Sequence, residues 1–185
     1  MAEPLTNRCR NAALTLIVIL WFGLSLRADS QVTETEIKAA YLYNFTKFIE
    51  WPATVPTSEP FRLCIVNDEG LKRAIDRTIE GEFANGRALQ SIAPRTPEEA
   101  SACQILFIGR TEPERAAKFL AATANLPVLA VSDSSPPPLP GIDVAFVLEE
   151  HRLRFDVNLS SAERRGLRIS SKLLRVARQV REVPK

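Results

Sequence analysis

Histidine is almost missing from this chain. A single copy, His151, leaves no set of imidazoles for a metal site and no ready base for a serine or cysteine nucleophile. Cysteine is nearly as scarce: Cys9 sits near the start and only Cys64 and Cys103 follow, neither with an evident activating base, which argues against thiol catalysis. There is no GxGxxG, no P-loop and no nucleophile elbow. The acidic pair Glu149 and Glu150 falls where a hairpin should turn, so it fits a solvated tip better than a glycosidase dyad. Internal repeats are absent, and Pro136 to Pro138 is the only low-complexity tract. These absences leave no positive reason to read an enzyme, and no metal or cofactor is expected.

Charge of one sign is lacking as well. The formal net charge is +2. Arg8, Arg10 and Arg27 against Glu3 account for it, so the remainder is neutral and carries no nucleic-acid footprint, which needs clustered positive charge. Nor is any apolar run long enough to span a bilayer. The longest, Ala12 to Leu24, is about 13 residues where roughly 20 are needed. Preceded by Arg8 and Arg10 and followed by the small Ala28, it reads as a secretory signal peptide over residues 1–28, with an uncleaved anchor as the alternative. Cys9 precedes the run, so lipidation is not expected. Residues 29–185 then form one exported domain, in an oxidising compartment if cleavage occurs.

What the chain does have is an aromatic helix. Ile37, Ala40, Tyr41, Phe45 and Phe48 recur at helical spacing, with Glu36, Lys38 and Lys47 off that stripe. Thr33 and Glu36 make a capping box, and Pro52 stops the helix after Trp51. Tyr43 adds to the aromatic density, and the stretch reads as a core helix, or alternatively as an aromatic ligand box.

Strands are expected at 61–68, 86–93, 103–109 and 127–133, with helices at 70–79 and 112–124 between them. This alternation predicts an α/β fold: a single domain with a mostly parallel sheet and helices on both faces. After the Pro-rich loop 134–141, alternating Val144, Phe146, Leu148 and then Leu153, Phe155, Val157 predict a C-terminal antiparallel hairpin with one wet face, turning at Glu149 to His151. A short helix from Asn158 or Ser160 to Arg165, a break at Gly166 and a basic helix over 170–180 complete the chain.

Three constellations bear on function. An even cysteine count after an export signal favours a Cys64–Cys103 disulfide, with two buried free thiols as the alternative. The expected strand ends carry Asn67-Asp68, Gly109-Arg110 and Ser132-Asp133, where open α/β sheets place ligands, although ordinary turns look the same. Arg152, Arg154, Arg164, Arg165, Arg168, Ser171 and Lys172 form a basic group able to grip a carboxylate, a phosphate or an acidic partner, or simply to exchange surface salt bridges. His151 reads as a solvated turn residue.

The segment KAAYLYNFTKFIEWP, together with CQILFIG, VLAVSD, VAFVLEEHRLRFDVNL and AERRGLRISSKLLRVAR in this order, resembles the YfiR family of small periplasmic regulators over most of residues 34–181. The resemblance implies an exported, homodimeric α/β regulator. It also implies an inner-membrane signalling partner, foremost a diguanylate cyclase whose periplasmic part is bound and repressed, with a histidine kinase as another possible target. Small ligands such as nucleotides or aromatic amino acids are further implied, in the Arg168 region. The Cys64–Cys103 pair resembles one of the family's disulfides, while a second, later disulfide has no counterpart because no cysteine follows Cys103. The residues expected at a partner or ligand contact are Tyr43, Arg152, Arg154, Arg164, Arg168 and Lys172.

Overall fold

The computed structural model describes residues 32–56, 58–133 and 139–182. The leader read at 1–28 and the prolines at 136–138 lie outside the described residues. Among the described residues no helix is long and apolar enough to cross a membrane.

Helix α1 (Glu34–Phe48) starts as its sequence requires: Thr33 Oγ1 accepts from the Glu36 amide at 3.3 Å, while Glu36 Oε2 accepts from the Thr33 amide at 2.8 Å. Its buried stripe is not the expected one. Ala39, Leu42, Phe45 and Thr46 face inward with Lys38, whereas Ala40 is exposed, Phe48 is 36% exposed, and Ile37 and Tyr41 are half-buried. Apolar residues occur around most of this helix, so several stripes satisfy the period and tertiary packing chooses between them. The helix also ends sooner than Pro52 requires. Ile49, only 2% exposed, turns extended and joins Glu50 in strand β1 (Ile49–Glu50), which pairs antiparallel with β9 (Arg168–Ile169).

The main sheet contains β2 (Phe61–Val66), β3 (Phe83–Ala84), β4 (Arg87–Ile92), β5 (Ile105–Ile108), β6 (Leu129–Asp133), β7 (Val144–Glu149), β8 (Arg152–Asn158) and β10 (Gln179–Arg181). Their order is β10-β8-β7-β6-β5-β2-β4-β3. Strands β4, β2, β5, β6 and β7 are parallel to their neighbours within that run. The chain moves outward from β2 to β4 through α2 (Glu69–Ile79). It then returns through the short α3 (Pro97–Ala100) to lay β5 on the other side of β2. This reversal is the topological switch of a doubly wound sheet, and it falls between β2 and β5.

Helices cover both faces, as expected. On one side α1 and α2 pack on Leu63, Ile65, Ile105, Phe107, Leu129 and Val131; on the other, Ala100, Ala116, Phe119 and Leu120 from α3 and α4 (Pro113–Thr123) pack on Cys64, Val66, Leu106, Ile108 and Ala130. Alternate residues of the buried strands thus feed two separate cores, which is why those strands read as continuous apolar runs.

Several expectations need correction. Cys103 is not in a strand: β5 begins at Ile105, and Cys103 sits in the turn after α3, its amide bonded to the Ala100 carbonyl at 3.1 Å. The Cys64–Cys103 disulfide is present, with a Cα separation of 5.9 Å, and joins β2 to that turn. Strand β3 was not expected; Asn85 and Gly86, both at positive φ, form the tight turn that folds it back on β4. The hairpin turns on two residues, Glu150 and His151, at φ 49° and 62°, so Glu149 belongs to β7. Its second face is wet only toward the tip, because Ala145 and Asp156 are buried nearer the base.

The terminal helix is shorter than expected. After α5 (Leu159–Arg164), which Asn158 caps, α6 covers only Ser171–Val176. Ala177 is extended, Arg178 donates its amide to the Phe155 carbonyl, and Gln179–Arg181 becomes β10 beside β8. The Arg178 guanidinium clamps both oxygens of Asp156 at 2.7 and 2.5 Å, a tertiary contact that outweighs helical periodicity.

Candidate ligand crevice and basic surface

At the carboxyl ends of the strands, the structure gathers Asn67, Asp68, Arg110 and Asp133 around one crevice of about 370 Å³. These are strand-end residues expected from sequence, now side by side because β2 and β5 are neighbours at the switch point. The sequence alone did not identify the other members, Glu34, Lys38, Phe146, Leu148 and Leu153. The first two turns of α1 supply Glu34 and Lys38, and the hairpin supplies the apolar residues.

The polar floor is rigidly built. Asp68 Oδ1 caps α2 by accepting from the Leu71 amide at 2.8 Å. Asn67 takes φ 58°, a conformation that asparagine tolerates, and donates its side-chain amide to the Arg110 carbonyl, coupling the loops after β2 and β5. Gly109 lies between them. A Cβ there would stand 2.8 Å from the Asn67 carbonyl oxygen and 3.1 Å from that of Val66, both backbone atoms that cannot move aside cheaply.

Lys38 is the most buried charge of the crevice, at 8% exposure. Its Nζ lies 2.7 Å from Glu34 Oε1 and 2.7 Å from Asp133 Oδ1. Burial works against the ammonium, but the hydrogen bonds to Asp133 and Glu34 outweigh it and hold its pKa above the usual lysine value. The Glu34–Lys38 spacing of one helical turn is legible in sequence. That Asp133 lies opposite is not.

The basic residues do not form one cluster. Arg152 and Arg154 are exposed near the hairpin tip, at the carboxyl end of the sheet. Arg164, Arg168 and Lys172 are exposed beyond Asn158. Arg152 and Arg154 thus belong to the first half of β8, whereas the second group follows its other end. Arg168 Nε stands 3.7 Å from Glu50 Oε2 in a fully solvated pair. Tyr43 lies elsewhere again, its hydroxyl donating to Glu82 and its ring under Lys47 Nζ at 4.0 Å. His151 is exposed in the turn.

Arg165 leaves the surface group entirely. Its guanidinium is buried and donates to the carbonyls of Thr123, Val128 and Gly141 at 2.9 to 3.1 Å, beside Asp143 Oδ2 at 3.6 Å. Burial pushes the Asp143 carboxyl up, against the opposing pull of Arg165, the Ala130 amide and Ser161. This pair ties α5 to the start of β6 and is structural.

A doubly wound sheet with a polar strand-end crevice and exposed arginines on its C-terminal hairpin defines an open α/β domain. The family model described as YfiR/HmsC-like matches residues 35–178, and the chain belongs to that family. The family is regulatory rather than catalytic.

Proposed function

We propose that this chain is a periplasmic, homodimeric, non-enzymatic regulator that binds and represses the extracytoplasmic domain of a membrane signalling protein. A diguanylate cyclase of the cyclic-di-GMP pathway is the leading target, ahead of a histidine kinase. Family membership across residues 35–178 carries this reading. The Cys64–Cys103 bond supports the compartment, since disulfides persist in oxidising surroundings. The apolar run at 12–24 supports export across the inner membrane by a signal peptide.

The hairpin supplies the favoured contact surface. Arg152 and Arg154 are exposed on an otherwise neutral domain and make no ion pair among the described residues, so their guanidiniums are free for carboxylates on a partner. Arg164, Arg168, Lys172 and Tyr43 remain candidates, but on other parts of the surface. Replacing Arg152 and Arg154 together by glutamate is expected to weaken binding to the cognate sensor domain by at least about tenfold, mostly through the association rate and more strongly at low salt. Unchanged binding in surface plasmon resonance would sink the assignment.

The 370 Å³ crevice favours a second reading, a sensor for a small ligand such as a nucleotide or an aromatic amino acid. A thermal-shift screen separates the two, because a ligand bound only by the native state raises the melting temperature.

A further inference from the structure

The crevice at the switch point has a definite charge and shape. Three carboxylates, Glu34, Asp68 and Asp133, face two cations, Lys38 and Arg110. Lys38 holds one oxygen of Glu34 and one of Asp133. The other oxygen of each, Oε2 and Oδ2, has no protein partner among the described residues, so two carboxylates share a single ammonium. Phe146, Leu148 and Leu153 line the opposing side; Phe146 and Leu153 are buried at 2% and 7%, so the apolar surface open to the crevice is chiefly that of Leu148, 60% exposed.

We propose that this crevice binds a small organic cation: a primary ammonium attached to one apolar, ring-sized body. The ammonium docks on the oxygens of Asp133 and Glu34 that Lys38 does not hold, completing the half-neutralised triad, and the body lies against Leu148, over the buried edges of Phe146 and Leu153. The volume, near the lower end for small-molecule sites, admits one such ring and its linker. Asp68 Oδ1 is committed to capping α2, and three carboxylates against two cations leave the crevice one net negative charge, displayed at the oxygens that Lys38 does not hold. Ammonium ligands are therefore favoured over carboxylates of the same shape. The switch-point loops are already locked by the Asn67–Arg110 bond, so binding needs little reorganisation of the floor.

This inference rests on the ligand-sensing reading and is independent of docking through Arg152 and Arg154. Its test is calorimetry on the purified protein with three probes of equal body: 2-phenylethylamine, 3-phenylpropionate and phenylalanine. The amine should bind at millimolar or lower concentration, and more weakly as salt rises. The propionate should not bind, and phenylalanine, whose carboxylate restores neutrality, should bind more weakly than the amine. Asp133→Asn, which keeps the shape of the side chain, should reduce amine affinity about tenfold. Leu148→Ser, at an exposed position that cannot threaten folding, should also reduce it. Equal or tighter binding of the propionate or of phenylalanine would overturn the ammonium assignment while leaving a ligand site in place. Silence of all three probes, or amine binding indifferent to both substitutions, would overturn the site itself.

Discussion

Arg165 shows how far a residue's role can depart from its neighbourhood in sequence. Flanked by Arg164 and Arg168, it reads as one more surface cation, yet it is 7% exposed and spends its donors on three backbone carbonyls. Arg165→Met should cost about 3–5 kcal/mol, because Asp143 is left as an uncompensated buried carboxylate. The folded-state pKa of Asp143 is already raised, so the native state holds that proton more tightly than the unfolded chain. Protonation then favours folding as pH falls from the raised value toward the unfolded one. The deficit of Arg165→Met should accordingly be greatest near neutrality and shrink in acid, read as urea midpoints across pH. A deficit that did not change with pH would show that Asp143 is not the group left exposed to the penalty.

At the scale of elements, the hairpin and α1 are held together by rings. Phe45 meets Phe155 edge-on at 5.5 Å and Phe146 stacked at 6.1 Å, and Tyr41 closes on Phe155 at 5.2 Å. Such pairs add to the burial of large apolar surface, and Phe155 is fully buried. Phe155→Ala should therefore destabilise by about 3–5 kcal/mol in equilibrium unfolding. It should also loosen the crevice wall, since Phe146 and Leu153 belong to the same packing. A loss below about 1 kcal/mol would mean the hairpin docks by other means. The same packing explains the misread stripe of α1. Helical spacing singled out Phe45 correctly, but the choice between Tyr41 and Leu42 as the inward neighbour depended on where the hairpin and α2 would stand.

For the molecule as a whole, the disulfide and the sheet topology set the limits. The Cys64–Cys103 bond spans 39 residues, so its removal by paired alanine substitution should cost about 4 kcal/mol on the chain-entropy model. Differential scanning calorimetry would read this as a lowered melting temperature, and an unchanged one would remove the bond from the stability account. Because the bond fixes β2 to the turn before β5, the two strands of the switch point, its loss should also weaken whatever binds the crevice between their ends.

The sequence by itself determined the alternation of the main strands and helices from β2 to β6, the two-faced parallel sheet, the terminal hairpin and the family, and it favoured the cysteine pairing. All of these depend on local period, local turn chemistry or motif order, which the chain states directly. Tertiary structure alone decided that Lys38 meets Asp133, that Arg165 is buried, that the last residues form a strand, and that the basic residues divide between the ends of β8. Each of these joins groups distant in sequence, and periodicity carries no information about which surfaces meet across a packed sheet. The strand-end crevice lies between the two cases. Its polar residues were legible at their turns, but their convergence required β5 to return beside β2.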